Sequence, residues 1–297
     1  MILKLNKELK QKDFKNEKEL QNFFENNIET ILGYKFIDTE FIVGDFRIDS
    51  LAFDEESKSF RIIEYKNVKN HSLVDQGYTY LKLMLERKAD FVLQYNIKTK
   101  SSLTTKDIDW SQSRIIFVSP IYTVYQLNAT DLKNIPIDLV KVTRYDEDII
   151  EIDFIKKTSN VKVQDIQMES IQNDVNKEII VYTEEDHLSK VSDDIKRVYE
   201  ELKTRILGLD DIDVEAKKLY IAFKGSRNIT DIEFHKNKLK VYINMKKGTL
   251  NDPLKITRDI SNTGHWGNGD YCIIINSEDE IDNIIPLIKQ SVKLNKK

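Results

Sequence analysis

Between Arg47 and Tyr80 the sequence places ionisable residues where burial demands a partner. In Phe60-Arg61-Ile62-Ile63-Glu64-Tyr65-Lys66, the apolar and β-branched residues predict a strand. Its period of two puts Ile62, Glu64 and Lys66 on one face. Charges at the end of an apolar strand are costly to bury unless they are paired or bound to a metal. Asp49 stands fifteen residues earlier, in Phe46-Arg47-Ile48-Asp49, and the acidic turn Asp54-Glu55-Glu56-Ser57 predicts a hairpin joining the two runs. Across that hairpin the two carboxylates can converge. Converging carboxylates hold a divalent cation, which neutralises developing negative charge and lowers the pKa of a bound water, as phosphodiester cleavage requires. Lys66 would position that water or stabilise the transition state. Oxygen-only ligands favour Mg²⁺ or Mn²⁺ over zinc.

The tripeptide Glu-x-Lys alone decides nothing, because it starts at Glu8, Glu56, Glu64, Glu86, Glu201 and Glu215. Only at Glu64 does it close an apolar strand, follow a strand with an aspartate and lead into a helix. That helix, predicted over Leu73–Arg87, carries Gln76 and Tyr80 at i, i+4, hence on one side. Beside Asp49, Glu64 and Lys66 they are expected to order the site or hydrogen-bond a nucleic-acid backbone. The competing expectation packs Tyr80 with Leu83 and Met84 and leaves Gln76 at the surface.

The elements that must position these groups read as a mixed sheet flanked by helices. A helix is predicted over Glu17–Ile31, with Leu20, Phe23, Phe24, Ile28 and Ile31 at helical spacing and Gly33 placed to end it. Strands are predicted at Lys35–Val43, Arg47–Phe53, Phe60–Tyr65, Phe91–Gln94 and Arg114–Val118. From Lys156 to Lys190 the pattern degrades, apart from Ile179-Ile180-Val181-Tyr182, and reads as a linker with a docking strand. The expected domains are therefore 1–155 and 191–297, with a linker at 156–190. The second is a smaller α+β domain with helices at Asp193–Leu207 and Glu278–Val292 and strands at Lys218–Phe223, Ile229–Phe234, Leu239–Ile243 and Tyr271–Ile275.

The chain has 297 residues, 40% hydrophobic and 32% charged, with a net charge of -4, which excludes a disordered polymer. Its apolar runs are far shorter than the roughly 20 residues of a membrane span. Met1–Lys7 is too short and too charged for a leader, and the single Cys272 makes neither an internal disulfide nor a zinc site. A cytoplasmic protein without a membrane partner is the expectation.

Asp49, Glu64-Tyr65-Lys66 and Gln76-x-x-x-Tyr80 resemble the PD-(D/E)XK nuclease superfamily, in its RecB-like branch with a Q-x-x-x-Y helix. No proline precedes Asp49, a departure from the namesake pattern. The resemblance implies a restriction-endonuclease-like α/β fold and Mg²⁺- or Mn²⁺-dependent hydrolysis of nucleic acid, with DNA the favoured partner. It also implies a further acid from the first helix, mapped to Glu17 with Glu19 as the fallback. Lys218–Lys224, Leu239–Tyr242 and Asp259–Asp270 resemble the C-terminal domain of unknown function found in two-domain bacterial proteins of this kind. Duplex cutting by a single-site nuclease often takes two active sites, so a homodimer stays open.

Nine Lys/Arg fall in Lys217–Lys247 against Asp231 and Glu233, and residues 191–297 carry 19 basic and 17 acidic side chains. One reading is a solvated face. The other is a phosphate-contacting surface of Lys217, Lys218, Lys224, Arg227, Lys236, Lys238 and Lys240. The loop Gly264-His265-Trp266-Gly267-Asn268-Gly269-Asp270 is expected either to bring backbone N–H groups to a phosphate with Trp266 stacking on a base, or to be a tight turn. His71, His187, His235 and His265 lack the partners that would make them metal ligands or bases.

Overall fold

The computed structural model describes residues 3–4, 7–67, 73–132, 134–159, 161, 170–225, 227–265 and 267–295. They fall into two compact units, Met1–Val181 and Tyr182–Lys297. No helix among the described residues is long and apolar enough to cross a membrane.

The first unit opens with the short pair β1 (Leu3–Lys4) and β2 (Lys7–Glu8), then β3 (Gln11–Lys12). Helix α1 (Glu17–Glu25) starts where the Asn16 side chain accepts the Glu19 N–H. It stops short of the expected Ile31, because the Asn27 amide donates to the Phe23 carbonyl and α2 restarts at Ile28–Leu32. Gly33 ends α2 in the left-handed region at φ 72°. Three antiparallel strands follow, β4 (Lys35–Val43), β5 (Phe46–Asp54) and β6 (Ser59–Tyr65), then α3 (Leu73–Glu86) and α4 (Lys88–Thr99). The strand expected at Phe91–Gln94 lies inside α4. Its Phe91, Val92 and Tyr95 are buried in the core at helical spacing, a pattern that a four-residue apolar run cannot distinguish from a strand. β7 (Arg114–Ser119), α5 (Val124–Thr130), β8 (Ile137–Tyr145) and β9 (Ile150–Phe154) complete a seven-stranded mixed sheet in the order β3-β8-β7-β6-β5-β4, with β9 on β8. β6, β7 and β8 are parallel to one another.

Every residue of β6 is buried, because helices cover both faces of the sheet. Ile62, Ile115 and Phe117 join the core under α3 and α4, while Ile63, Tyr65, Ile116 and Val118 join the core under α1. Within the stretch expected as a linker, α6 (Ser170–Glu178) packs on α3, and Val175 and Ile179 enter the first unit's core. Ile179–Tyr182 forms no strand. Ile180 instead donates to the Ser111 carbonyl and accepts from Arg114.

The second unit holds α7 (Glu184–Leu188), α8 (Asp193–Leu207), strands β10 (Asp213–Ala216), β11 (Ile221–Lys224), β12 (Asn228–His235), β13 (Lys238–Ile243), β14 (Arg258–Asp259) and β15 (Tyr271–Ile275), and α9 (Ile281–Asn295). The antiparallel sheet runs β10-β11-β12-β13-β15-β14. Apolar residues of α8 and α9 pack on its inner face with Val241, Ile243 and Ile273. The molecule is thus a large mixed sheet flanked by helices, followed by a smaller sheet domain.

Candidate active site

Pairing of β5 with β6 runs from Asp54↔Ser59 to Ser50↔Ile63 and then opens. Beyond that point side chains replace the ladder. The Asp49 N–H donates to Glu64 Oε1 at 3.1 Å, and the Tyr65 N–H donates to Asp49 Oδ2 at 3.0 Å. On the other flank, β4 pairs Thr39 with Ser50 and Phe41 with Ile48, and the intervening Glu40 takes a left-handed φ of 48°. The Asp49 carbonyl accepts from Gln21 Nε2 at 2.9 Å. Side chains therefore satisfy both polar backbone groups of Asp49, and the two carboxylates are brought together at the end of a buried strand.

Lys66 continues β6, its N–H donating to the Val118 carbonyl, and its ammonium stands 3.7 Å from Glu64 Oε2. From α3, Gln76 donates to the same Glu64 oxygen at 2.9 Å, while the Tyr80 hydroxyl donates to the Arg47 carbonyl at 3.2 Å. Both residues of the i, i+4 pair thus face the open hairpin. Glu17 is exposed, and its Oε1 accepts the Asn67 N–H at 3.2 Å, next to Lys66. Glu19 does other work: it accepts the Lys15 N–H and pairs with Arg144 at 2.9 Å, contacts that lower its pKa.

Burial dominates the electrostatics. It raises the Asp49 pKa against the Tyr65 N–H bond and Lys66, and Glu17 adds to the rise. Glu64 is pushed up to about 8 by burial first and the Asp49 charge second, which outweigh the Asp49 N–H bond and Lys66. Among the described residues no group of three or more His, Cys, Asp or Glu is placed to hold a metal. The donor set is two carboxylates, which fits a hard cation such as Mg²⁺ that keeps several waters and takes one or two carboxylates.

Sequence reasoning missed the support behind Asp49. Gln21, buried in α1, also donates to Glu25 Oε1 and Thr39 Oγ1. Glu25 Oε1 accepts from the Ser50 hydroxyl at 2.6 Å, which lies 3.1 Å from the Tyr65 hydroxyl. The available signal was a glutamine beside Leu20 on a face that buries Phe24.

The cations of the second unit divide. Lys217 is buried and pairs with Glu215 at 2.7 Å, and Lys224 reaches the same carboxylate at 3.0 Å. Lys217 thus faces a carboxylate inside the unit rather than a solvent-facing phosphate surface. Lys240 pairs with Glu233 at 3.3 Å, while Lys218, Arg227 and Lys236 are exposed and Lys238 is half-buried. In the glycine loop, the buried Asp231 accepts from the Asn268 N–H at 2.6 Å and the Asn268 amide at 2.8 Å. A Cβ on Gly267 would lie 2.3 Å from the Tyr242 ring, and one on Gly269 2.0 Å from the Ile243 carbonyl. Close approach to β13 accounts for both glycines. Trp266 and His71 lie outside the described residues.

An uncharacterized protein of Haemophilus influenzae is 48% identical to this chain over 289 residues, covering 96% of each. The chain belongs to that protein's family. A model for a domain of unknown function, DUF5655, matches residues 184–295, close to the bounds of the second unit. Among solved structures, an EndoMS-dsDNA2 complex matches with 20% identity and a TM-score of 0.27, over 38% of this chain and 39% of that one.

Proposed function

We propose that the first unit is a Mg²⁺- or Mn²⁺-dependent phosphodiester hydrolase acting on nucleic acid, with DNA as its substrate. The observation that carries this reading is the open end of the β5–β6 hairpin. There Asp49 and Glu64 converge beside Lys66, and burial leaves the carboxylates short of positive charge. Asp49 and Glu64 hold the cation. When bound, it supplies charge neutralisation at the phosphodiester and a more acidic water. Lys66 donates to the attacking water or to a non-bridging phosphate oxygen. Gln76 fixes the Glu64 carboxylate by its amide, so that one oxygen stays oriented as charge is exchanged. Tyr80 holds the β5 backbone at Arg47, two residues before Asp49. Glu17, at the Asn67 N–H, supports the end of β6. The exposed Lys218, Arg227 and Lys236 and the half-buried Lys238 of the second unit contribute sequence-independent phosphate contacts.

The test is cleavage of end-labelled single- and double-stranded DNA in Mg²⁺, Mn²⁺ or EDTA, comparing wild type with Lys66→Ala. Cation-dependent cutting that disappears in the variant is the expected result. Equal cutting by the two proteins would refute the reading. DNA binding without cutting, abolished by charge reversal at Lys218, Arg227, Lys236 and Lys238, would make the protein a binding module on a nuclease-like scaffold.

A further inference from the structure

The end of the sheet that carries Asp49, Glu64 and Lys66 is unusually apolar at its surface. β5 runs antiparallel to β6, so its first residue, Phe46, lies at the same end as Lys66. Phe46 is 42% exposed, and its ring stands edge-on to Tyr80 with centroids 6.1 Å apart. Tyr80 in turn lies within electrostatic reach of Glu64 and Asp49. Ile42, on the other side of the tight turn at Gly44, is also exposed. On the far flank, β7 ends beside β6, where Tyr65 pairs with Val118, and the chain turns through Ile121 into α5. There Ile121, Val124 and Tyr125 are exposed, Tyr125 at 87%. Phe46 thus begins β5 on one side of β6, and Tyr125 stands in α5, which follows β7 on the other side of β6.

We infer that Phe46 and Tyr125 are stacking platforms for unpaired bases, and that the substrate strand crosses this end of the sheet single-stranded. Every base has a π-face, so exposed aromatics bind single strands with little sequence preference. A base buried in a duplex offers no such face to a side chain. Phe46 and Asp49 are three residues apart along β5, about 10 Å at strand rise, which spans about three stacked nucleotides at 3.4 Å each. Arg47 lies between them in sequence, and its solvent-facing guanidinium makes a 3.4 Å contact to Glu40, which Lys18 already engages at 2.6 Å. Phe46 thus offers a platform for a base on the α3 side of the strand, and Arg47, on the α1 side, a cation for the neighbouring phosphate. The inference takes its substrate from the hydrolase reading and adds the strand's state.

The experiment uses the full chain and a single-stranded DNA oligonucleotide carrying 2-aminopurine, in EDTA so that binding is read without cutting. Wild type should quench the 2-aminopurine and bind the single strand more tightly than the same sequence annealed to its complement. Removing each ring, in Phe46→Ala and Tyr125→Ala, should weaken single-strand binding about tenfold. Phe46→Trp and Tyr125→Trp should keep it, and duplex binding should stay unchanged. Both positions are exposed, so melting temperatures should match wild type and separate lost stacking from lost fold. Retained affinity and quenching in the double alanine variant would overturn the inference. Cleavage in Mg²⁺ or Mn²⁺ separates the two claims. If wild type binds and quenches through these rings yet cuts nothing, the hydrolase reading falls and the stacking surface stands. If it cuts, and the double variant keeps the same ratio of single-strand to duplex cutting, the stacking surface falls and the hydrolase reading stands.

Discussion

Each unit of this protein brings a glutamate into a protected position, and the two treat it oppositely. In the second unit burial pushes the Glu215 pKa up, but Lys217 at 2.7 Å and Lys224 at 3.0 Å hold it well below the usual carboxylate range. That carboxylate has permanent counter-ions supplied by its own strands. In the first unit, among the described residues, Glu64 is paired with Lys66 alone, at 3.7 Å, against both burial and the Asp49 charge, and its pKa rises to about 8. A pair of carboxylates left short of positive charge is a place where an external cation gains binding energy. A carboxylate already flanked by two lysines is a structural pair with nothing to attract. The contrast separates a candidate site from a brace.

The sharpest way to break that contrast is catalytic. Glu64→Ala and Lys66→Ala should each lower cation-dependent DNA cleavage by at least about a hundredfold, measured by single-turnover cleavage, whereas Lys217→Ala should not slow the chemical step. Next in size is metal linkage. Mg²⁺ or Mn²⁺ at a hundredfold excess over its dissociation constant should stabilise the protein by about 2.7 kcal/mol. Calorimetry should show that shift vanish in Glu64→Gln and persist in Lys217→Ala. In metal-free buffer above pH 8, one substitution should act with opposite signs in the two units. Glu215→Gln strands Lys217 and should cost about 1–2 kcal/mol, below the figure for a fully buried pair because Glu215 is partly exposed. Glu64→Gln relieves a buried charge and should stabilise by about 1 kcal/mol. Smallest is the pH profile of metal-free wild type. Glu64 has a folded pKa above its unfolded value, so the folded state holds the extra proton. Its contribution is complete below about 4.5 and is lost as pH rises toward about 8. Denaturant melts across that window should show a falling contribution in wild type and none in Glu64→Gln.

The convergence of the candidate site residues was legible because strand and helix periods are local. Glu64 and Lys66 follow from period two, and Gln76 and Tyr80 from i, i+4, so their convergence needed only the hairpin between β5 and β6. Gln21 was not legible as support, since its bond to the Asp49 carbonyl joins positions 28 apart and carries no local signal. Lys217 was misplaced on the surface because its partner Glu215 stands just outside the basic stretch on which it was counted. The fold was read well where elements are long and amphipathic, as in α3 and α8. It was read poorly at Phe91–Gln94 and at α6, where a few apolar residues belong to helices whose faces only tertiary packing reveals. β8 and β9 went unread, although Ile137, Leu139 and Val142 are buried at near-alternating spacing.

The ties between the N-terminal segment and β8 also set an order of assembly. Gln11 pairs with Tyr145, the Lys10 N–H donates to Asp146, and Arg144 grips Glu19 across 125 residues of chain. During synthesis the hairpin with Asp49 and Glu64 leaves the ribosome long before β8 does. At 5–20 residues per second, α1 waits roughly 6–25 s for the anchor that fixes Glu19 and, through the same helix, aims Gln21 at Asp49. A nascent chain therefore carries Asp49 and Glu64 early and the anchored helix that supports Asp49 through Gln21 late, once translation has passed Asp146.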